Sequence, residues 1–302
     1  FCKGGVKMEK VLSNKPVISM LIFPALIIYC LVVPIPVIAS VYYSFTSWDL
    51  IGEMRFSGLQ NYVNLFLHDD IFRLCIKNTV VFLFVSILLQ EPAAFIFSVL
   101  LTKGVRGQKF FRNLFFMPIV FSGVSVSLMF YFVYHPDAGV VNNLIRLFGN
   151  KEFSFAWLGE EKTALLSVTV ALAWQYIGYH MTIYISGISS IPKELFEAAR
   201  IDGANEWMVV KHIIFPMLMP MIQVSMILIT TSSLKAFDYI YIMTYGGPAH
   251  ASEVIASHMY SKAFVQLKYG YGSAISTVLM VLCIISSVIL TKVFKDRVYS
   301  DV

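Results

Sequence analysis

Long apolar runs separated by polar segments are the dominant pattern of this 302-residue chain. A helix needs about 20 apolar residues to cross the hydrocarbon core of a bilayer. Each apolar run that approaches this length is therefore predicted to form one membrane-spanning helix. The predicted spans are 17–43, 78–101, 113–135, 163–190, 217–234 and 272–293.

Composition supports this pattern, because 58% of the residues are hydrophobic, only 14% are charged, and the mean hydropathy is +0.73. Soluble globular domains are about 45–50% apolar and roughly 25% charged. We therefore predict an all-α integral membrane protein with six transmembrane helices. The cysteines, Cys2, Cys30, Cys75 and Cys283, are scattered, and their spacing predicts neither a disulfide framework nor a metal site.

The first apolar run is too long for the core of a cleavable signal peptide, and no small-residue cleavage site follows it. Residues 1–7 lack an initiator methionine, so Met8 is a candidate start and no function is assigned to the residues before it. We expect 1–16 to be a cytoplasmic segment and 17–302 to form a single transmembrane domain.

The positions of the basic residues predict the orientation of the spans, since Lys and Arg concentrate in cytoplasmic loops. Most of them fall on the inner segments if the N-terminus lies inside. The clearest group is Lys103, Arg106, Lys109 and Arg112, which has no acidic residue within it. Both chain termini and the segment 191–216 are then predicted to be cytoplasmic.

That segment, 191–216, is rich in polar residues and reads IPKELFEAARIDGANEWMVVKHIIFP. Pro192 suits the first turn of a helix, and Gly203 stands where that helix should stop. Asn205 is suited to cap a second helix. That helix carries an apolar face formed by Trp207, Val210 and Ile214. We predict two short amphipathic helices that meet at a glycine elbow on the membrane surface.

The segment also resembles the EAA loop of permease subunits of bacterial ABC importers. Glu197-Ala198-Ala199 is followed at the family's spacing by a glycine, an isoleucine and a proline, while Phe215 replaces the usual leucine. The resemblance implies that the loop docks into a cleft of a cytoplasmic ATPase; the alternative is an ordinary amphipathic linker. The implied ATPase-coupling residues are Glu197, Ala198, Ala199, Asp202, Gly203, Ile213 and Pro216.

Two further stretches resemble carbohydrate-type importer permeases. Residues 237–248, with Thr244 and Gly246-Gly247-Pro248, resemble the outer loop after the fifth core span, although Gly-Gly-Pro also forms plain turns. Residues 269–276 resemble the start of the last span. The resemblance covers the chain from the first span onward and implies a type I (MetI-like) permease fold in a compact six-span form.

The resemblance implies a multi-pass protein of the bacterial plasma membrane that imports a sugar or oligosaccharide. Its implied partners are a second homologous permease, two ATPase subunits, an external solute-binding protein and membrane lipid. ATP and Mg²⁺ would be bound by the ATPase, because this sequence has no phosphate-binding loop G-x-x-x-x-G-K-[ST]. We therefore expect no enzymatic activity, cofactor or metal in this chain. Its short basic segments do not predict nucleic-acid binding.

Polar residues inside spans are costly and commonly face a cavity or a partner. Glu91 either lines the pathway, pairs with a neighbouring helix, or forms a structural hydrogen bond. Tyr176, Tyr179 and His180 share one helical face and offer rings and polar groups to a sugar, although such aromatic residues also populate interfacial belts. The predicted substrate-pathway residues are Tyr176, Tyr179, His180, Gln175, Ser122, Ser233 and Glu91. The hydroxyl residues are equally typical of helix packing in membranes.

Two other functions remain open. An ion- or proton-coupled secondary transporter would use Glu91 as its carrier carboxylate, but it leaves the EAA-like loop unexplained. Such transporters are often built from inverted repeats, and the sequence has no recognisable repeat. A membrane scaffold without an ATPase partner is the third possibility. The sequence does not identify the transported solute.

Overall fold

The computed structural model describes residues 15–49, 52–104 and 106–299. Most of the predicted cytoplasmic segment 1–16 lies outside the described residues. The first two helices are α1 (Lys15–Val32) and α2 (Pro34–Tyr43). They are followed by a short antiparallel pair, β1 (Thr46–Ser47) and β2 (Arg55–Phe56), in which Thr46 lies opposite Phe56.

The middle of the chain contains the longest helices and the segment that connects them. In chain order these are α3 (Gln60–Val63), α4 (Asp70–Thr102), α5 (Gln108–Phe116), α6 (Gly123–Val133), α7 (Val140–Leu147) and α8 (Ala164–Ser189). A π-helical turn, Asn64–His68, extends α3, and a 3₁₀ turn, Met117–Val120, extends α5.

The remaining helices are α9 (Lys193–Ile201), α10 (Glu206–Val209), α11 (Phe215–Met217), α12 (Met219–Leu234), α13 (Asp238–Met243), α14 (Ile255–Tyr260) and α15 (Tyr269–Tyr299). π-Helical turns follow α10 at Val210–Ile214 and α14 at Ser261–Val265.

Three described helical segments are long and apolar enough to cross a membrane: Ile18–Tyr43, Asp70–Thr102 and Tyr269–Phe294. Two bent helix pairs raise this number to five if each pair is one span. Helix α8 is the most deeply buried long helix, and its 26 residues span about 39 Å. It packs along α4, while α12 packs between α4 and α15.

The region predicted as the third span differs from a straight helix. Gln108–Val120 and Gly123–Val133 meet at an angle of 101°. Pro118 lies in the 3₁₀ turn, and Phe121 and Ser122 are extended. The Ser122 side chain then accepts a hydrogen bond from the Ser125 N–H at 3.2 Å, so it caps the new helix α6.

Close helix contacts depend on glycine at two positions of α8. A Cβ on Gly178 would lie 1.8 Å from the Phe115 carbonyl oxygen, and one on Gly187 would lie 2.5 Å from the side chain of Leu218. Small residues allow membrane helices to approach this closely. Helix α5 and the start of α12 are thereby held against the same central helix.

Candidate functional site

The segment 191–216 folds as two helices with an elbow, which confirms the local prediction. Helix α9 ends in a Schellman motif: the Gly203 N–H donates to the Arg200 carbonyl at 3.1 Å, and the Ala204 N–H donates to the Ala199 carbonyl at 2.9 Å. Gly203 has φ +75°, as this motif requires. The Asn205 side chain accepts from the Met208 N–H at 2.9 Å and caps α10.

The two ends of this segment, which we call its base, are buried in the protein core. Ile191, Ile214 and Leu218 are buried and join a cluster with residues of α4 and α8, including Val99 and Ile188. The two ends of the segment are therefore packed against both central helices.

Most of the predicted coupling residues are exposed, including those at the elbow, which forms the tip of the segment. Among the predicted coupling residues, five are exposed and two are partly buried: the exposed ones are Glu197, Ala198, Asp202, Gly203 and Pro216, and the others are Ala199 and Ile213. Ile201 and Trp207 are 87% and 71% exposed. The predicted continuous apolar face is interrupted, since Trp207 points outward while Ile214 is buried.

Two further features tie this segment to its surroundings. Glu206 at the start of α10 forms an ion pair with Lys103, which follows α4. A cavity of about 440 Å³ lies beside α9, and Glu197, Arg200 and Thr102 are among its lining residues. The segment therefore contacts the cytoplasm-facing basic turn predicted from the sequence.

A second group of polar residues lies between the central helices. The Tyr184 hydroxyl of α8 donates to Glu91 of α4. One turn away, the Ser225 hydroxyl of α12 is 2.8 Å from His180 Nδ1. These contacts connect all three helices through polar side chains in the predicted membrane interior.

The break at Phe121 is held by a polar contact from α8. The Gln175 amide nitrogen donates to the Phe121 carbonyl at 2.8 Å. The Tyr239 hydroxyl in turn donates to the Gln175 amide oxygen. A carbonyl freed by a helix break must find such a partner in a membrane protein, so Gln175 has a structural task at this bend.

The seven predicted pathway residues do not form one continuous surface within the described chain. Gln175, His180 and Ser233 are buried, Glu91, Tyr176 and Tyr179 are partly buried, and Ser122 is exposed. Several buried polar atoms of α4 and α12 have no hydrogen-bond partner among the described residues; they belong to Ser86, Gln90, Glu91 and Ser233. The arrangement places polar groups deep between α4 and α12 and leaves the two tyrosines at the edge.

Sequence reasoning missed the partners of these residues. Tyr184 and Ser225 read as ordinary members of apolar runs, and Tyr239 read as part of an outer loop. The carboxylate of Asp238 also approaches α6, because a Cβ built on Gly123 would lie 3.4 Å from its oxygen. The i, i+4 spacing of His180 and Tyr184 is a local signal for these contacts, because it places both polar side chains on one face of the helix.

Comparison with known proteins settles the family. Residues 92–299 match the family described as "Binding-protein-dependent transport system inner membrane component". The chain belongs to this family. It is an ABC transporter permease. One relative is the probable ABC transporter permease protein YurN of Bacillus subtilis (strain 168). The two are 37% identical over 94% of this chain and 97% of YurN.

Other permease relatives carry carbohydrate names. The probable starch degradation products transport system permease protein AmyD of Thermoanaerobacterium thermosulfurigenes is 30% identical over 96% of this chain and 98% of its own. The multiple sugar-binding transport system permease protein MsmF of Streptococcus mutans serotype c is 32% identical over 95% of this chain and 98% of its own.

The permease fold is also seen in a solved structure. A chain of a bacterial alginate ABC transporter, crystallised in complex with an alginate pentasaccharide-bound periplasmic protein, matches with a TM-score of 0.83. The match covers 96% of this permease and 98% of that chain at 21% identity. The predicted MetI-like type of helical permease fold is thereby confirmed.

Proposed function

We propose that this permease is one half of the translocation pathway of an ATP-driven importer for a sugar or oligosaccharide. It would cross the plasma membrane six times, with both termini in the cytoplasm. The observation that carries the proposal is the helix–elbow–helix segment 191–216. Its tip is exposed, and its base is packed against α4 and α8.

The proposed mechanism follows from how this segment is built. Each ATPase subunit would hold one permease by its exposed elbow, with Glu197 and Asp202 at the contact. Closure of the ATPases on ATP would displace α9 and α10 as a rigid piece, since their ends are fixed by the Schellman motif and the Asn205 cap. The buried Ile191 and Ile214 would pass this displacement to α4 and α8, opening the pathway on the other side.

The solute class is proposed from the relatives and from the residues near the bend. AmyD and MsmF are named for starch degradation products and multiple sugars. Tyr176 and Tyr179 are partly exposed on α8, which supports stacking against the apolar face of a sugar ring. Gln175 and His180 would act by holding this surface, since both side chains are buried in hydrogen bonds.

The partners are proposed from the family and from the exposed apolar surfaces of the chain. The family description names dependence on a binding protein, which supports an external solute-binding protein. The exposed apolar side chains of α1, α2 and α6 support contacts with lipid and with a second permease. ATP and Mg²⁺ would be bound by two ATPase subunits, and this chain would perform no catalysis.

The proposed orientation makes a labelling prediction. In a background without accessible cysteines, Glu53→Cys and Glu160→Cys should react with a membrane-impermeant maleimide on intact cells. Lys109→Cys and Asp202→Cys should react only after the membrane is opened. All four side chains are exposed in the fold, so a difference in labelling reports the side of the membrane. Labelling of Asp202→Cys from outside would contradict ATPase docking.

A second function, ion- or proton-coupled transport, is favoured by one observation: Glu91 is partly buried between the central helices and one of its oxygens has no described partner. Glu91→Gln separates the two functions, because the amide oxygen can still accept from Tyr184 but the group no longer carries a proton. We expect ATP-dependent uptake to remain within about twofold of wild type, as for a neutral hydrogen-bond replacement.

Glu91→Leu tests the contribution of the hydrogen bond between Tyr184 and Glu91. It removes the acceptor and should lower both the yield and the thermal stability of the purified permease, as should Tyr184→Phe. If Glu91→Gln abolishes uptake while the protein remains in the membrane at normal abundance, the carrier mechanism is supported instead.

A further inference from the structure

Three side chains of kinds that can bind a metal ion lie together near the start of α4, at the opposite end of that helix from the segment 191–216. The Cys75 Sγ of α4, a carboxylate oxygen of Glu253 and a ring nitrogen of His258 all lie within 4.8 Å of one another. All three residues are buried, with exposed fractions of 0%, 6% and 2%. A thiol, an imidazole and a carboxylate form a donor set that Zn²⁺ uses in proteins.

The histidine is oriented as metal-bound histidines usually are. His258 Nδ1 faces Glu253 Oε1 at 2.9 Å, while Nε2 on the opposite side of the ring lies 3.3 Å from Asp69 Oδ2. Asp69 is itself fixed by the Tyr271 hydroxyl at 2.7 Å and by the Phe72 N–H at 2.9 Å. A carboxylate behind the far nitrogen fixes the tautomer and orients the ring of a ligating histidine.

The backbone that carries Glu253 and His258 is anchored to the helix that carries Cys75. The Asn78 amide nitrogen donates to the His250 carbonyl at 3.0 Å and to the Glu253 carbonyl at 2.9 Å. The Thr79 hydroxyl accepts from the Ile255 N–H at 3.1 Å. The backbone segments that carry the three residues are therefore held together by contacts that do not involve the donor side chains.

The charges of the cluster favour a cation. Glu253 faces two histidines: its Oε1 lies 2.9 Å from His258 Nδ1, and its Oε2 contacts His250 Nδ1. Within the described chain, the ion pairs of Glu253 and Asp69 are formed with histidines and not with lysine or arginine. Buried carboxylates without a fixed countercharge are costly.

We propose that Cys75, Glu253 and His258 form a Zn²⁺ site that clamps α14 and the residues just before it onto α4. The ion would bind the thiolate sulfur, one Glu253 oxygen and His258 Nδ1, at about 2.3 Å from sulfur and roughly 2.0–2.2 Å from oxygen and nitrogen. Binding would release the thiol proton of Cys75 and place the single ring proton of a neutral His258 on Nε2, facing Asp69. The site is independent of the proposed transport function.

The competing explanation is a hydrogen-bonded clasp without metal. His258 would then bridge Asp69 and Glu253, and Cys75 would serve as a small buried apolar side chain. The two explanations differ in what they require of the sulfur: a clasp does not need it, whereas a Zn²⁺ site does. Cobalt is a suitable probe, because Co²⁺ occupies zinc sites and a thiolate ligand gives it an intense charge-transfer absorption.

The test uses the full chain, purified with its transporter partners in lipid nanodiscs, stripped with a chelator and titrated with Co²⁺ and then Zn²⁺. We expect a thiolate-to-cobalt band that saturates at one ion per chain and disappears when Zn²⁺ is added. Cys75→Ala should abolish the band, and Cys283→Ala, which removes a partly buried cysteine of α15, should leave it unchanged.

Asp69→Asn tests the orienting carboxylate. Loss of such a partner usually weakens metal affinity by 10–100-fold. The Co²⁺ concentration at half-saturation should therefore rise by about that factor, while the absorption band keeps its shape. The proposal is overturned if the wild type shows no thiolate band, or if Cys75→Ala retains the wild-type band. Since Cys75→Ala only shortens a buried side chain, its yield and elution profile should match those of Cys283→Ala.

Discussion

Replacement of Trp207 or Ile201 by aspartate is expected to remove the ATPase subunits from the purified transporter. Both side chains are apolar and largely exposed, at 71% and 87%, on the two sides of the Gly203 elbow. In a docked complex they would be desolvated, and large anchors of this kind contribute about 2 kcal/mol or more, or roughly 30-fold in affinity. A carboxylate at the same place would add the cost of burying a charge. The measurement is the amount of ATPase that co-purifies with tagged permease.

Equally exposed apolar residues on the opposite side provide the control. Leu147 and Phe148, at the end of α7, are 80% and 90% exposed and are predicted to lie outside the membrane. Leu147→Asp and Phe148→Asp should therefore leave the ATPase bound. Equal retention of ATPase by all four variants would show that the exposed elbow is not its docking surface.

The second large effect is expected at Gly203 itself. Its φ of +75° is in the left-handed region, and no atom lies within 4 Å of an added Cβ, so the constraint is conformational rather than steric. The left-handed conformation destabilises an L-residue by about 1–2 kcal/mol, and a β-branched residue by more. This strain corresponds to a loss of roughly tenfold in the population of the docking geometry. Uptake by Gly203→Val should fall by about that factor while membrane abundance is maintained.

Gly58 offers a matched position for this experiment. It has φ +59°, again with nothing within 4 Å of an added Cβ, but it lies before α3 in the predicted outer region. Gly58→Val carries the same kind of strain and should transport at close to the wild-type rate. If both variants lose uptake to the same extent, backbone strain reduces folding in general, and Gly203 has no special role in coupling.

The sequence predicted the segment 191–216 well because its signals are local. A proline, a glycine and an asparagine at the ends of short helices act through their own backbone and the next few residues. The structure has the same features, with α9 ending at Ile201, Gly203 in the left-handed conformation and Asn205 as the cap of α10. The π-helical turn after α10 was not predicted, and it explains why Trp207 and Ile214 do not share one buried face.

The polar contacts between helices were not predictable in the same way. Gln175 and Tyr239 are 64 positions apart, and Glu91 and Tyr184 are 93 apart. Periodicity identifies which residues share one face of a helix, but it does not specify which face of another helix lies opposite. The bend at Phe121 was hidden for a related reason: the apolar run continues through it, and its cost is offset by a distant glutamine.

The cluster at Cys75 illustrates the same limit. Its members come from α4 and from a region about 180 positions later, so the spacing of the cysteines carries no information about it. Asn78 and Thr79 bring the two regions together by binding backbone groups, and such contacts leave no recognisable motif in a single sequence.

The most direct measurement is uptake by the complete transporter in proteoliposomes, with this permease co-expressed with the products of the neighbouring genes. A labelled oligosaccharide and the solute-binding protein are supplied outside, and ATP and Mg²⁺ are enclosed. We predict that uptake requires enclosed ATP and the binding protein, and that it is insensitive to a proton ionophore. Uptake that proceeds without ATP, is driven by an imposed proton gradient and is lost in Glu91→Gln would contradict an ATP-driven permease.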